Sequence, residues 1–170
     1  MGLSRKRLLL VKLESAYKTD ASPSSGADAI LCANLDGFQP MAGETVTRNI
    51  VRAYFGNGET YQATTYGTAT FTVELAGTSG APTSTNLPQY DALLKACGFT
   101  TAVTSSVWTA TPSTPSSNSE NNTSVTIAYH QDGLLHKLIG ARGTVSFEFT
   151  NKQLPEAYRS LPRPSSPLSA

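Results

Sequence analysis

Charge is scarce in this chain of 170 residues: Asp, Glu, Lys and Arg make up 15% of it, where about a quarter is usual for a soluble domain. The formal net charge is +1, so no global field draws the protein to nucleic acid or to an anionic membrane. Histidine is limited to His130 and His136, and cysteine to Cys32 and Cys97. Neither cysteine has a second Cys or a His within a few residues, which excludes a close-spaced ligand set and leaves two free thiols as the expectation. No stretch approaches the roughly 18 apolar residues of a membrane span. The apolar run Leu8–Leu13 follows basic Arg5, Lys6 and Arg7, but Lys12 and Glu14 interrupt it and no small-residue cleavage site follows. The expectation is a chain made and kept soluble in a cytoplasm, without a membrane anchor.

Thr, Ser, Ala and Gly fill the space that charge leaves, and the apolar residues fall mostly in alternation. A chain of this length buries roughly two-thirds of its unfolded surface, so one self-sufficient domain is expected. Residues 7–14 read as a strand, as do Ala29–Leu35, after which Asp36-Gly37 should turn the chain. Ala69, Phe71, Val73 and Leu75 alternate with Thr70, Thr72 and Glu74, the pattern of a half-buried strand. Pro88 opens the one expected helix, with Tyr90, Leu93, Leu94 and Cys97 on one face and Gly98 at its end. Val107–Ala110 is a further strand bearing the single Trp108, and Pro112–Thr123 is Ser/Pro/Asn-rich loop.

The C-terminal half carries the strongest hairpin signal. Ser124–His130 and Leu134–Ile139 flank Asp132-Gly133, a two-residue turn that sets Ile127 opposite Leu138 and Tyr129 opposite His136. A one-residue slip would place Ile127 against Lys137, so the first register is preferred. Gly140 and Gly143 then link to a strand at Thr144–Thr150 whose Val145, Phe147 and Phe149 should point inward. Beyond it Pro155, Pro162, Pro164 and Pro167 disfavour a central strand over residues 160–170. The division expected is therefore a β domain over residues 1–152 and a proline-rich tail over 153–170.

Residues 38–62 fit neither class. Gly43, Gly56 and Gly58 are scattered among Arg48, Arg52, Ile50, Val51, Tyr54 and Phe55. Long irregular connections are usually functional, and the aromatic and aliphatic content argues against disorder. The segment reads as an arm that docks on something, or as one or two further strands.

A catalytic constellation is not visible. In the preferred register His130 faces Leu135 while His136 faces Tyr129, so the two imidazoles lie on opposite sheet faces and cannot share a metal, and Asp132 is taken up by the turn. None of the 12 acidic residues marks a cleft. Gly56-Asn57-Gly58 lacks the Lys-Ser/Thr pair of a phosphate loop. No enzyme, no cofactor and no metal site is expected.

In order and spacing, "LLLVKLESAYKTD", "AGETVTRNIVRAYFG", "YDALLKACGF" and "SVTIAYHQDGLLHKLIGARGTVSFEF" resemble the tail tube (major tail) proteins of long-tailed bacteriophages. The likeness runs to about residue 152. It implies a mainly β fold, a β-barrel or sandwich with one flanking α-helix, whose subunits join sheets into rings, usually of six. Stacked rings form the conduit for DNA ejection in the virion tail. The implied partners are other copies of the chain, a tape measure protein and a tail terminator, with genomic DNA passing through the lumen without specific binding. Residues 38–62 resemble the family's long loop, which places Arg48, Arg52, Tyr54 and Phe55 in subunit contacts. Relatives typically continue into an aromatic-rich final strand, a pattern that "LPEAYRSLPRPSSPLSA" lacks. A tail terminator, a baseplate ring or a contractile-tail inner tube would share related folds; a monomeric immunoglobulin-like binding module is the alternative of a different class.

Overall fold

A computed structural model describes residues 7–48, 50, 51, 53, 56, 58–113, 123–151 and 156–161. Its first four-stranded sheet, sheet A, is built from β1 (Arg7–Leu13), β2 (Ala29–Ile30), β9 (Val125–Gln131) and β10 (Leu134–Ala141), in the order β10-β9-β1-β2. The second, sheet B, contains β3 (Cys32–Ala42), β6 (Tyr66–Glu74), β11 (Thr144–Glu148) and β12 (Glu156–Leu161), in the order β11-β12-β6-β3. Every pairing within both sheets is antiparallel. Two hairpins complete the strands: β4 (Thr45–Thr47) with β5 (Thr60–Gln62), and β7 (Phe99–Thr104) with β8 (Val107–Pro112).

Alternation explains the core. Leu9, Val11, Val125, Ile127 and Tyr129 of sheet A and Ala69, Phe71 and Val73 of sheet B enter one buried cluster, joined by Leu93 and Ala96 of the single helix, α1 (Asp91–Ala96). The fold is thus mainly β with one short flanking helix. The expected barrel is not closed: among the described residues each large sheet keeps two open edges.

The hairpin β9–β10 has the expected register, with Ile127 opposite Leu138, Tyr129 opposite His136 and His130 opposite Leu135. Asp132 and Gly133 both have positive φ, 48° and 87°, as a type I′ turn requires. Helix α1 stops where Gly98, at φ +85°, supplies the left-handed residue past the cap. Donors from elsewhere satisfy its last carbonyls: Thr123 Oγ1 donates to the Lys95 oxygen at 2.8 Å and Gly143 N to that of Ala96 at 3.2 Å.

Four expectations need correction. Asp36-Gly37 does not turn the chain; β3 continues through it with a register shift between Asn34 and Gly37, and Gly37 is required because a Cβ there would lie 2.8 Å from Thr70 Cβ. Of the two readings of residues 38–62, the one with further strands holds, since they contain the end of β3 and the β4–β5 hairpin. Gly140 lies within β10 rather than in a link, at a register shift with φ +72°. Phe147 lies in the same row as Val145, yet it is 42% exposed and Phe149 75%, because β11 is an edge strand. Residues 156–161, assigned to a proline-rich tail, form β12, which pairs with β6 on one side and β11 on the other. Pro155 and Pro162 bracket that strand and leave its ladder intact. The remainder of the expected tail, residues 162–170, lies outside the described residues. β7 was not expected; Thr-rich and short, it is recognisable only from its pairing with β8 across Ser105 and Ser106, both at positive φ.

Candidate assembly surfaces

Sheet A is fastened by a carboxylate. Glu14, just past β1, accepts four hydrogen bonds: Oε1 from Thr126 Oγ1 (2.8 Å) and Gly140 N (2.7 Å), Oε2 from Ser124 Oγ (2.6 Å) and Lys18 N (3.0 Å). These bonds tie the connection 15–28, a strap, to β9 and β10. Ala21 N donates to Thr126 Oγ1 at 3.1 Å, Lys137 pairs with Asp20, and Lys12 lies 4.0 Å from Asp28. The strap covers the side of sheet A away from the core, which accounts for the burial of Leu10, Ala128 and Thr126 there. The Lys137 ammonium, with help from the Ser22 amide, holds the Asp20 carboxyl below its ordinary value.

A second acid, the buried Asp91, accepts from Trp108 Nε1 at 3.0 Å and pairs with Lys95 at 2.8 Å, while Tyr90 meets the indole edge-on at 5.6 Å. This anchors the β7–β8 hairpin to α1. Neither Glu14 nor Asp91 stood out in the sequence. Each has one partner four residues on, but the bonds that give them their role reach 126 residues from Glu14 to Gly140 and 17 from Asp91 to Trp108, which no local spacing marks.

Reactive geometry is missing at the expected candidates. His136 packs against Phe38 (5.5 Å) and Tyr129 (6.2 Å), whereas His130 shares a row with Leu8 and Leu135 on the other face. Cys32 and Cys97 form no disulfide, and burial pushes the Cys32 thiol up, away from the thiolate. Among the described residues no three His, Cys, Asp or Glu are placed to hold a metal ion. The apolar cavity between α1 and sheet B, lined by Val73, Leu93, Cys97 and Val145, encloses about 20 Å³, too little for a substrate. No described helix is long and apolar enough to cross a membrane.

Surfaces suited to protein contact are plentiful by comparison. At the open edge of sheet B, Phe147 stacks on Phe149 at 6.4 Å and meets Phe99 edge-on at 6.3 Å, and the first two rings stay exposed. The β4–β5 hairpin is exposed at all six strand positions, including Val46 and Tyr61, and Ile50 and Val51 beside it are exposed too. Arg48 braces this arm: its amide donates to the Glu59 carbonyl at 2.9 Å and its guanidinium lies 3.7 Å from the Glu59 carboxylate. Arg48 is thus exposed on the arm, as a contact residue would be, but its visible partner is within the chain. Arg52, Tyr54 and Phe55, the other expected contact residues, lie outside the described residues.

No protein family matches the chain, and no curated protein is significantly similar to it in sequence.

Proposed function

We propose that the chain is a structural subunit of a bacteriophage tail tube, assembling through its sheet edges into rings that stack into a conduit for DNA. The observation that carries this reading is the β11 edge. Phe147 lies on the core-facing side of sheet B and is still exposed, beside Phe149, on a strand that among the described residues pairs with another strand on one side only. Such an edge is an aggregation liability in a monomer. A second copy removes the liability, because a head-to-tail contact that closes by rotation produces a ring. The exposed arm adds a second contact surface, and the low net charge suits a conduit that must not hold DNA. Six copies per ring, contacts with a tape measure protein and a terminator, and residence in the virion tail follow from the resemblance in motif order.

Negative-stain electron microscopy of the purified protein at raised concentration tests the reading. Long hollow tubes are expected. Isolated rings that never stack would favour a terminator or baseplate ring, and monomers at every concentration would overturn self-assembly. Phe147→Lys should yield a folded monomer, by far-ultraviolet circular dichroism, that forms no tubes.

A further inference from the structure

The two sheets differ in what covers their outward faces. On sheet A that face carries Lys12 and Lys137 in the rows of Thr126 and Ala128, and the strap lies across it. Sheet B is almost free of cations. Its four strands contain one, Arg159, which pairs with Phe71 and Val145 in the rows that face the core. The opposite rows hold short polar residues, carboxylates and one aromatic residue, Tyr158, which stands between Ser146 and Thr72 in the register. Thr144, Ser160, Thr70 and Gly37 stand in line across all four strands, and Glu148, Glu156 and Glu74 in line at one end. Thr144, Ser146, Glu148, Thr70 and Glu74 are exposed, while Thr72 between them is buried.

Such a face is well made for leaving a polyanion alone. Among the described residues its rows carry no lysine or arginine. Nucleic acid is held chiefly by cations that displace its counterions, and a wall without cations gives phosphate no point of attachment. Ser and Thr hydroxyls on such a wall hold water, which exchanges easily as a strand slides past.

We infer that the uncovered face of sheet B, centred on Thr70 and Ser146, is the wall of the channel along which DNA moves. The inference rests on the tube reading above. It also sets the orientation of the subunit: the strap and sheet A lie on the outside of the ring, with β11 and β3, the two edges of sheet B, facing neighbouring copies.

Site-specific labelling of assembled tubes tests the wall. Thr70→Cys and, as a second position on the same face, Ser146→Cys are compared with Ser25→Cys on the strap, and the labelling of Cys32 and Cys97 in the unsubstituted protein gives the background. Two maleimides are used, one small and one coupled to a folded protein too large to enter the channel. On tubes, the face cysteines should keep their reactivity toward the small reagent and lose it toward the large one, while Ser25→Cys reacts with both. Equal reaction of the face cysteines with the large reagent would place sheet B outside and overturn the inference. Loss of reaction with both reagents would place the face in a subunit contact and overturn it equally. If neither face variant assembles, a density map of unsubstituted tubes decides the same question by showing which sheet borders the lumen. Failure of the unsubstituted protein to form rings or tubes would instead remove the tube reading, a result recognisable before any labelling.

Discussion

Sheets A and B have four strands each and share one hydrophobic core, yet one is finished within the chain and the other is not. Sheet A has its outward face strapped down, its lysines matched by Asp20 and Asp28, and its bulge at Gly140 held by Glu14. Sheet B has an uncovered outward face and an edge at which two phenylalanines lie exposed. The difference separates residues that hold the fold from residues left over for association. Buried polar groups with complete hydrogen bonding belong to the first set, and apolar groups on an unpaired edge to the second.

Substitutions can break this contrast or sharpen it. The largest effect is expected at Phe71, which is 1% exposed at the centre of the shared core. Phe71→Ala should lower unfolding free energy by about 3–5 kcal/mol in urea titration, for transfer and cavity together. A smaller loss, about 1–3 kcal/mol, is expected for Glu14→Gln, which removes the charge behind four hydrogen bonds while keeping the shape. Hydrogen exchange should then accelerate in the strap, at the Ala21 amide above all, and stay unchanged in β6. Equal acceleration in both sheets would show that the strap does not act on sheet A alone. Phe147→Lys should change monomer stability by less than about 1 kcal/mol, as exposed substitutions usually do. A large loss there would mean that the β11 edge already works as core.

The smallest effect concerns the exposed Lys137–Asp20 pair. The folded-state pKa of Asp20 lies below its unfolded value, so the pair's contribution is present above the unfolded pKa and fades as pH falls through the folded one. In a carboxyl-detected titration, Lys137→Met should raise the Asp20 midpoint toward the ordinary aspartate value and flatten that part of the acid limb.

Parts of this architecture are readable along the chain because they rest on local chemistry. The β9–β10 hairpin follows from Asp132-Gly133 and the alternation on either side, which is why its register agrees residue by residue. The end of α1 at Gly98 has the same origin. Other parts depend on partners that spacing does not reveal. Gly37 looks like a turn residue until Thr70 is found against it. The alternation of Val145 and Phe147 gives the correct face but not its burial, because burial requires a layer above the strand. Prolines at 155 and 162 suggest a proline-rich tail when counted, although by position they only mark the limits of β12. Of the expected contact residues, Arg48 is exposed on the arm, and the exposed edge pair Phe147 and Phe149 was read as interior.

The place of β12 in the chain has a consequence for timing. Residues 156–161 insert between β6 and β11, so β11 has no strand to pair with until β12 has been synthesised. Chains fold largely in the order in which they leave the ribosome. β1 and the β9–β10 hairpin can therefore form sheet A while sheet B still lacks an inner strand. In the proposed assembly, the edge at β11 would then meet other copies only after the rest of the fold is in place, and polymerisation would wait until each subunit is complete.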